Sequence, residues 1–386
     1  MKSPSRTALR AGLAAAAALS LAACGTSGSD SGSAAAESLG DTEGSVSILA
    51  WPGYVEDGSN DPAYDWVSGF EDATGCMVTS KPYGTSDEAY QLMQNGGYDV
   101  VAASGDLTLR LIAGDLVSPV NTDLLDNYAG IFDFLKNKEW NSVDGVSYGV
   151  PHGYGANLLM YNTDEVTPAP TSWDVVFDKS SDYAGGVTAY DSPIYIADAA
   201  VYLMAHQPDL GITNPYALDQ DQFDAAVALL KEQRTNVGEY WSDYLKEIQA
   251  FETGDSVVGT TWQVIQNSVS TGNTAVVLPE EGATGWSDTW MIASDSKSPN
   301  CAYAWLDYIA DPEVNATATA YFGEAPSSAA ACDFRDDCEA YHAGDEEYAA
   351  QIWYWTTPIS ECVDGRTDVE CIDYSEWTKA WQEIKG

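Results

Sequence analysis

Apolar residues dominate the run Val46-Ser47-Ile48-Leu49-Ala50-Trp51, and the pair Pro52-Gly53 ends it. Such a run, closed by a turn, predicts a buried strand over 46–51. Trp66, Val67 and Phe70 then fall at helical spacing, which predicts a helix over 63–74 that stops at Gly75. A second strand is expected over 76–80, a helix over 87–94 ahead of Gly96-Gly97, a third strand in "YDVVAAS" and a helix over 107–113. Strands and helices alternating across short loops are the pattern of an α/β lobe with a mostly parallel sheet.

The pattern changes over 146–162, "VSYGVPHGYGANLLMYN", which is aromatic and glycine-rich without a helical period. It reads as a strand passing from one lobe to another. The α/β grammar then resumes, with a strand and turn in "GGVTAYDSP", an amphipathic helix over 221–233 and a strand leading into a helix over 255–269. Residues 274–294 read as a second crossing, and 300–309 as a further helix. The last sixty or so residues read as helical and irregular. The roughly 340 residues after 45 exceed one simple core and suit two lobes.

The chain starts differently. Lys2, Arg6 and Arg10 precede an apolar, alanine-rich run over 11–23, the plan of an export signal. That run is short of the ~20 residues a membrane span needs. It ends in Leu21-Ala22-Ala23-Cys24, which resembles a bacterial lipobox. The expectation is a signal peptide over 1–23, lipidation of Cys24 and a flexible, Gly/Ser/Ala-rich linker over 24–44. Acyl chains at about 0.8 kcal/mol per buried CH₂ would then hold the protein on the outer face of the cytoplasmic membrane. An ordinary signal peptide with a chance cysteine is the alternative.

Charge narrows the partners. With 16 Lys+Arg against 59 Asp+Glu, the formal net charge is −43. Nucleic acid and anionic lipid surfaces are repelled, whereas small cations are attracted. Acidity on this scale also suits solubility or life in high salt, so it does not name a ligand. Of the seven cysteines, six lie beyond the leader: Cys76, Cys301, Cys332, Cys338, Cys362 and Cys371. An even number in an exported chain points to disulfides. Two local pairs, Cys332/Cys338 and Cys362/Cys371, leave Cys76 for Cys301, one of roughly fifteen possible pairings. A zinc site is disfavoured, because no Cys-x-x-Cys occurs and His152, His206 and His342 are scattered. No Gly-x-Ser-x-Gly, His-Glu-x-x-His or Walker-type motif is present, so no enzyme signature stands out and no cofactor is expected.

Six segments occur in one order: "ILAWPGYV", "FEDATGCMV", "GGYDVVAAS", "GVPHGYGANLLMYN", "VLPEEGATGWSDTWMIAS" and "CAYAWLDYIADPEV". Together they resemble the extracellular solute-binding proteins of ABC importers, specifically the spermidine/putrescine-binding branch. The resemblance covers about 46–330. It implies a two-lobe, type II periplasmic-binding-protein-like α/β fold, with lobe 1 over 45–152 and 279–322 and lobe 2 over 153–278 and 323–386. It also implies a cleft that shuts over a polyamine-like organic cation and an ABC permease as partner, with the receptor acting as a monomer. A sugar or amino-acid derivative is the alternative ligand, and a secreted glycosidase or lyase the alternative activity.

A polyamine needs carboxylates at its ammonium groups and aromatic faces along its methylenes. The family pattern places cleft aromatics at Trp51, Tyr54 and Trp262, and Trp241 with Tyr240 lies near another such position. Ser104, at the end of the third strand, is a candidate amine partner, and Asp106, two residues on, is another or else caps the next helix. The family pattern places a carboxylate at Asp191. Trp286 and Asp288 fall on the second crossing. A second acid three residues after Asp191 is missing, since Ile194 stands there; Glu324, where the family carries a tyrosine, is a candidate replacement. Asp191, Asp288 and Glu324 are therefore the expected ammonium partners.

Overall fold

The computed structural model describes residues 35–386, so the leader, Cys24 and the first part of the linker lie outside the described residues. The chain opens with β1 (Ser45–Ala50), α1 (Val67–Thr74), β2 (Met77–Pro82), α2 (Ser86–Asn95), β3 (Val100–Ala103) and α3 (Gly105–Ala113). Short pieces follow at β4 (Val117–Ser118), β5 (Ser142–Val143) and β6 (Val146–Ser147), before β7 (Val150–Ala156) and β8 (Leu158–Asn162). Then come β9 (Val187–Tyr190), α4 (Ile196–His206), α5 (Gln220–Gln233), β10 (Val237–Trp241), α6 (Tyr244–Thr253), β11 (Val258–Thr261), α7 (Gln263–Ser268) and β12 (Thr274–Val277). The chain returns through β13 (Ala283–Ala293), α8 (Pro299–Ile309), α9 (Pro312–Phe322), β14 (Ala325–Pro326), α10 (Glu346–Ala349), β15 (Ile352–Tyr354) and α11 (Tyr374–Lys385).

These strands build two main sheets, one per lobe. The first runs β14-β7-β13-β3-β1-β2, with β4 and β15 also pairing to β13; the second runs β10-β9-β11-β8-β12. β1, β2 and β3 are parallel, as are β9, β10 and β11. The loops that follow them carry Trp51, Tyr83, Ser104, Asp191 and Trp262. Ligands in open α/β sheets bind at those carboxyl ends. The expected first crossing divides at Asn157: β7 joins the first sheet and β8 the second. The second crossing divides likewise between β12 and β13. At the junction the Asn157 N–H donates to the Thr284 carbonyl at 2.8 Å, tying the two crossings together.

Local chemistry explains most boundaries. Thr85 accepts from the Glu88 N–H at the start of α2, and Asp219 with Gln222 forms a capping box on α5. Gly75 ends α1 in the left-handed conformation, φ 72°. The first helix begins at Val67, not at 63, because Asp61 and Asp65 turn their carboxylates onto the N–H groups of Ala63 and Ser68. The tail differs more. β14 and β15 pair within the first sheet, while α11 packs on α5 beside the second. Residues 323–386 thus serve both lobes, a correction to their assignment to lobe 2 alone.

The disulfides are Cys76–Cys301, Cys332–Cys338 and Cys362–Cys371. Cys76–Cys301 joins residues 225 apart and is fully buried where α8 packs on α1. Closing so long a loop restricts the unfolded chain. Replacing both cysteines by Ala is expected to lower unfolding stability by about 2–4 kcal/mol in urea melts, with ligand binding retained under native conditions. Among the described residues no helix is long and apolar enough to cross a membrane. No group of three or more His, Cys, Asp or Glu there is placed to hold a metal ion.

Candidate functional site

The candidate site centres on an acid pair around a tyrosine. The buried Tyr54 hydroxyl lies 2.9 Å from Asp288 Oδ2 and 3.4 Å from Glu324 Oε1. Trp286 Nε1 donates to Glu324 Oε2 at 2.8 Å. Trp286 and Asp288 sit two apart on β13, which puts both side chains on one face of the strand. Two glycines of β7 clear the space opposite. A Cβ on Gly155 would fall 2.3 Å from the Trp286 ring, and one on Gly153 would fall 2.5 Å from Glu324 Oε1. That is why "HGYGAN" alternates glycine with larger residues.

Burial sets the protonation of this cluster. It raises Asp288 to about 6, against the lowering effect of hydrogen bonds from Ser104 and Tyr54. Glu324 is raised to about 8, by burial first and then by the Asp288 charge. Burial and the mutual repulsion of the two carboxyls favour a proton held by the pair at neutral pH, which leaves about one negative charge shared across Asp288 and Glu324. His152 Nε2 stands 3.7 Å from Glu324 Oε1, but burial lowers that imidazole to about 3. The imidazole is therefore neutral in this contact. Burial and the two carboxyls push the Tyr54 hydroxyl well above its usual range, so it stays a donor.

Aromatic rings line the rest. Trp262 stands 5.3 Å from Trp286 between ring centroids, Trp286 stands 6.2 Å from Trp355, and Tyr190 stacks on Trp355 at 5.7 Å. Trp241 is fully buried behind Tyr190 and Trp262, at 5.1 and 5.0 Å. Trp51 packs on Tyr83 at 4.4 Å, and its Nε1 donates to Ser104 Oγ at 3.1 Å. Trp262 Nε1 donates to Asn157 Oδ1 at 2.9 Å, so the lobe junction also orients a cleft ring.

The structure brings together Trp51, Tyr54, Ser104, Trp262, Trp286, Asp288 and Glu324, with Trp241 as backing. Two expected acids are engaged elsewhere. Asp106 accepts from Ser86 at 2.9 Å and from Tyr374 at 3.4 Å, which uses both of its oxygens to hold α2, α3 and α11 together. Asp191 Oδ1 accepts from Lys385 Nζ at 2.6 Å and from Trp381 Nε1 at 3.0 Å. Tyr240 packs against Trp381 and the Arg234 guanidinium, away from the acid pair. Glu324 joins Asp288, so it does not replace the acid missing beside Asp191. Sequence reasoning missed Tyr83, Tyr190, His152, Asn157 and Trp355. Tyr190 was legible as the neighbour of Asp191 at a strand end. Trp355 was not, because its segment approaches α3 only through a close contact: a Cβ on Gly105 would fall 1.6 Å from the Trp355 carbonyl oxygen.

Two α/β lobes joined by crossing strands, with charge and aromatic faces gathered between them, define a ligand receptor of the periplasmic-binding-protein type. The chain belongs to the bacterial extracellular solute-binding protein family, whose model matches residues 65–343. It is 25% identical over 312 residues to the putrescine/agmatine-binding protein of Pseudomonas aeruginosa, covering 76% of this chain and 80% of that one. It is 22% identical over 280 residues to the spermidine/putrescine-binding periplasmic protein of Escherichia coli, covering 71% and 75%. Among solved structures, the spermidine/putrescine ABC transporter substrate-binding protein PotD of Streptococcus pneumoniae superposes with a TM-score of 0.67 at 18% identity, over 88% of this chain and 97% of that one. The binding protein MotA of A. tumefaciens, in complex with glucopine, superposes at 0.61 with 16% identity, over 89% and 100%. The fold is thus shared by a protein named for spermidine and putrescine and by one crystallised with glucopine.

Proposed function

We propose that this protein is the receptor of an ABC importer and captures a small organic cation of the polyamine class, which it delivers unchanged to a permease. The observation that carries this reading is the Tyr54–Asp288–Glu324 cluster, a buried acid pair walled by tryptophans between two lobes. Asp288 is a buried carboxylate with no ion-pair partner among the described residues, which favours a guest that brings a cation, whereas Glu324 has the Arg335 guanidinium nearby. Ring faces add about 0.5–2 kcal/mol per cation contact. The names of the relatives, which bind putrescine, agmatine or spermidine, support the same class. Cys24 in its lipobox-like setting supports an exported receptor tethered by lipid, acting as a monomer in front of its permease.

The direct test is mass spectrometry of ligand retained through native purification, with a thermal-shift panel of amines, sugars and amino acids. Amines alone are expected to raise the midpoint, by the mass-action stabilisation of a native-state ligand. A shift with sugars only would overturn the cation reading and leave the receptor. Trp262→Ala, which removes a wall but no charge, is expected to weaken amine binding about tenfold in calorimetric titrations.

A further inference from the structure

The acids of the cleft are not distributed as a two-headed cation requires. Asp288 and Glu324 converge on one hydroxyl, that of Tyr54, and so serve one position. The carboxylate of the second lobe, Asp191, already holds an ammonium, the Nζ of Lys385 at 2.6 Å. Lys385 closes α11, and packing fixes that helix independently of the contact. Trp381 meets Tyr195 and Tyr240 at 5.9 and 5.4 Å, Trp377 meets Phe223 at 5.9 Å, and the Lys385 carbonyl accepts from Arg234 Nε at 3.1 Å. The ammonium is therefore delivered by a seated helix, with Trp381 Nε1 sharing the same carboxylate oxygen.

Four rings close a cycle of contacts, Tyr190–Trp262 at 5.8 Å, Trp262–Trp286 at 5.3 Å, Trp286–Trp355 at 6.2 Å and Trp355–Tyr190 at 5.7 Å, in which Tyr190 adjoins Asp191 and Trp286 is bonded to Glu324. The indole N–H groups of Trp262 and Trp286 are turned to Asn157 and Glu324, which leaves their faces for a guest. Clustered ring faces suit a cationic head.

We propose that Lys385 is a specificity determinant: it stands in for the second ammonium of a diammonium ligand, so the cleft takes an organic monocation whose head lies among Tyr190, Trp262, Trp286 and Trp355 beside Asp288. This rests on reading the site as a cation receptor and narrows the guest to one charge. A diammonium compound spanning the cleft would bring its far end against Lys385, where like charges repel.

The test compares putrescine with n-butylamine, the same carbon chain lacking one ammonium, and with choline, by calorimetry on the full chain. Wild type is expected to bind choline or n-butylamine at least tenfold more tightly than putrescine. Lys385→Met frees Asp191 and is expected to shift the ratio toward putrescine by tenfold or more, while Lys385→Arg keeps the wild-type order. The readout is a ratio within one protein, so a smaller folded fraction cancels. Tighter binding of putrescine by wild type, or an unchanged ratio in Lys385→Met, overturns this proposal and leaves the cation receptor standing. No binding of any of the three overturns the cation reading, and this proposal with it.

Discussion

Asp288→Asn is expected to weaken capture of choline, n-butylamine or putrescine at pH 7.5 by a hundredfold or more, about 2.7 kcal/mol. Asp288 is the less raised carboxyl of a pair that burial leaves with about one negative charge, and it has no ion-pair partner among the described residues. The amide keeps the shape and still accepts from the Tyr54 hydroxyl, so what disappears is the charge. The melting temperature of the ligand-free variant should not fall, since an amide is cheaper to bury than a carboxylate. Calorimetry with a parallel melt separates the two effects. Unchanged affinity in a folded variant would place the cation elsewhere.

The second large effect is on pH. A bound cation favours ionised Asp288, so the complex holds fewer protons than the free receptor wherever Asp288 is protonated when free. The Asp288 contribution to affinity is therefore complete above about 6 and falls as pH drops, by about tenfold per unit, reaching about a hundredfold at pH 4. Glu324 adds a further rise as pH climbs toward about 8, and the profile is level above that. Stability of the ligand-free form runs the other way. Asp288 and Glu324 hold their protons more tightly folded than unfolded, so their contribution is full at acid pH and is lost as pH rises through 6 and then 8. Titrations from pH 4 to 9 check both trends, and a flat affinity profile removes Asp288 as the charge that matters.

Much of this site was legible because local patterns place it. Hydrophobic runs mark β1 and β3, and the residues that close them, Trp51 and Ser104, stand at sheet ends by necessity. Trp286 and Asp288 share a face because strands alternate with period two. What local pattern does not carry is pairing across the chain. Asp191 reads as a free clamp until Lys385, 194 residues later, is brought to it by the packing of α11. Asp106 likewise reads as a cleft acid until Ser86 and Tyr374 converge on it. Trp355 lies in a tail whose period names no element; its N–H donates to the Gly285 carbonyl at 2.7 Å just past β15, and Gly105 leaves room for its carbonyl oxygen.

That tail has a mechanical consequence. After β15 leaves the first sheet, α11 rests on the second lobe through Trp377 and Trp381, while Tyr374 still touches Asp106 of the first and lies under the Arg110 guanidinium. The lobes thus share a third strap beyond the two crossing strands. Any release of cargo must peel Tyr374 from Asp106 or carry the whole helix along, so the jaw should swing through a short, guided arc instead of gaping freely.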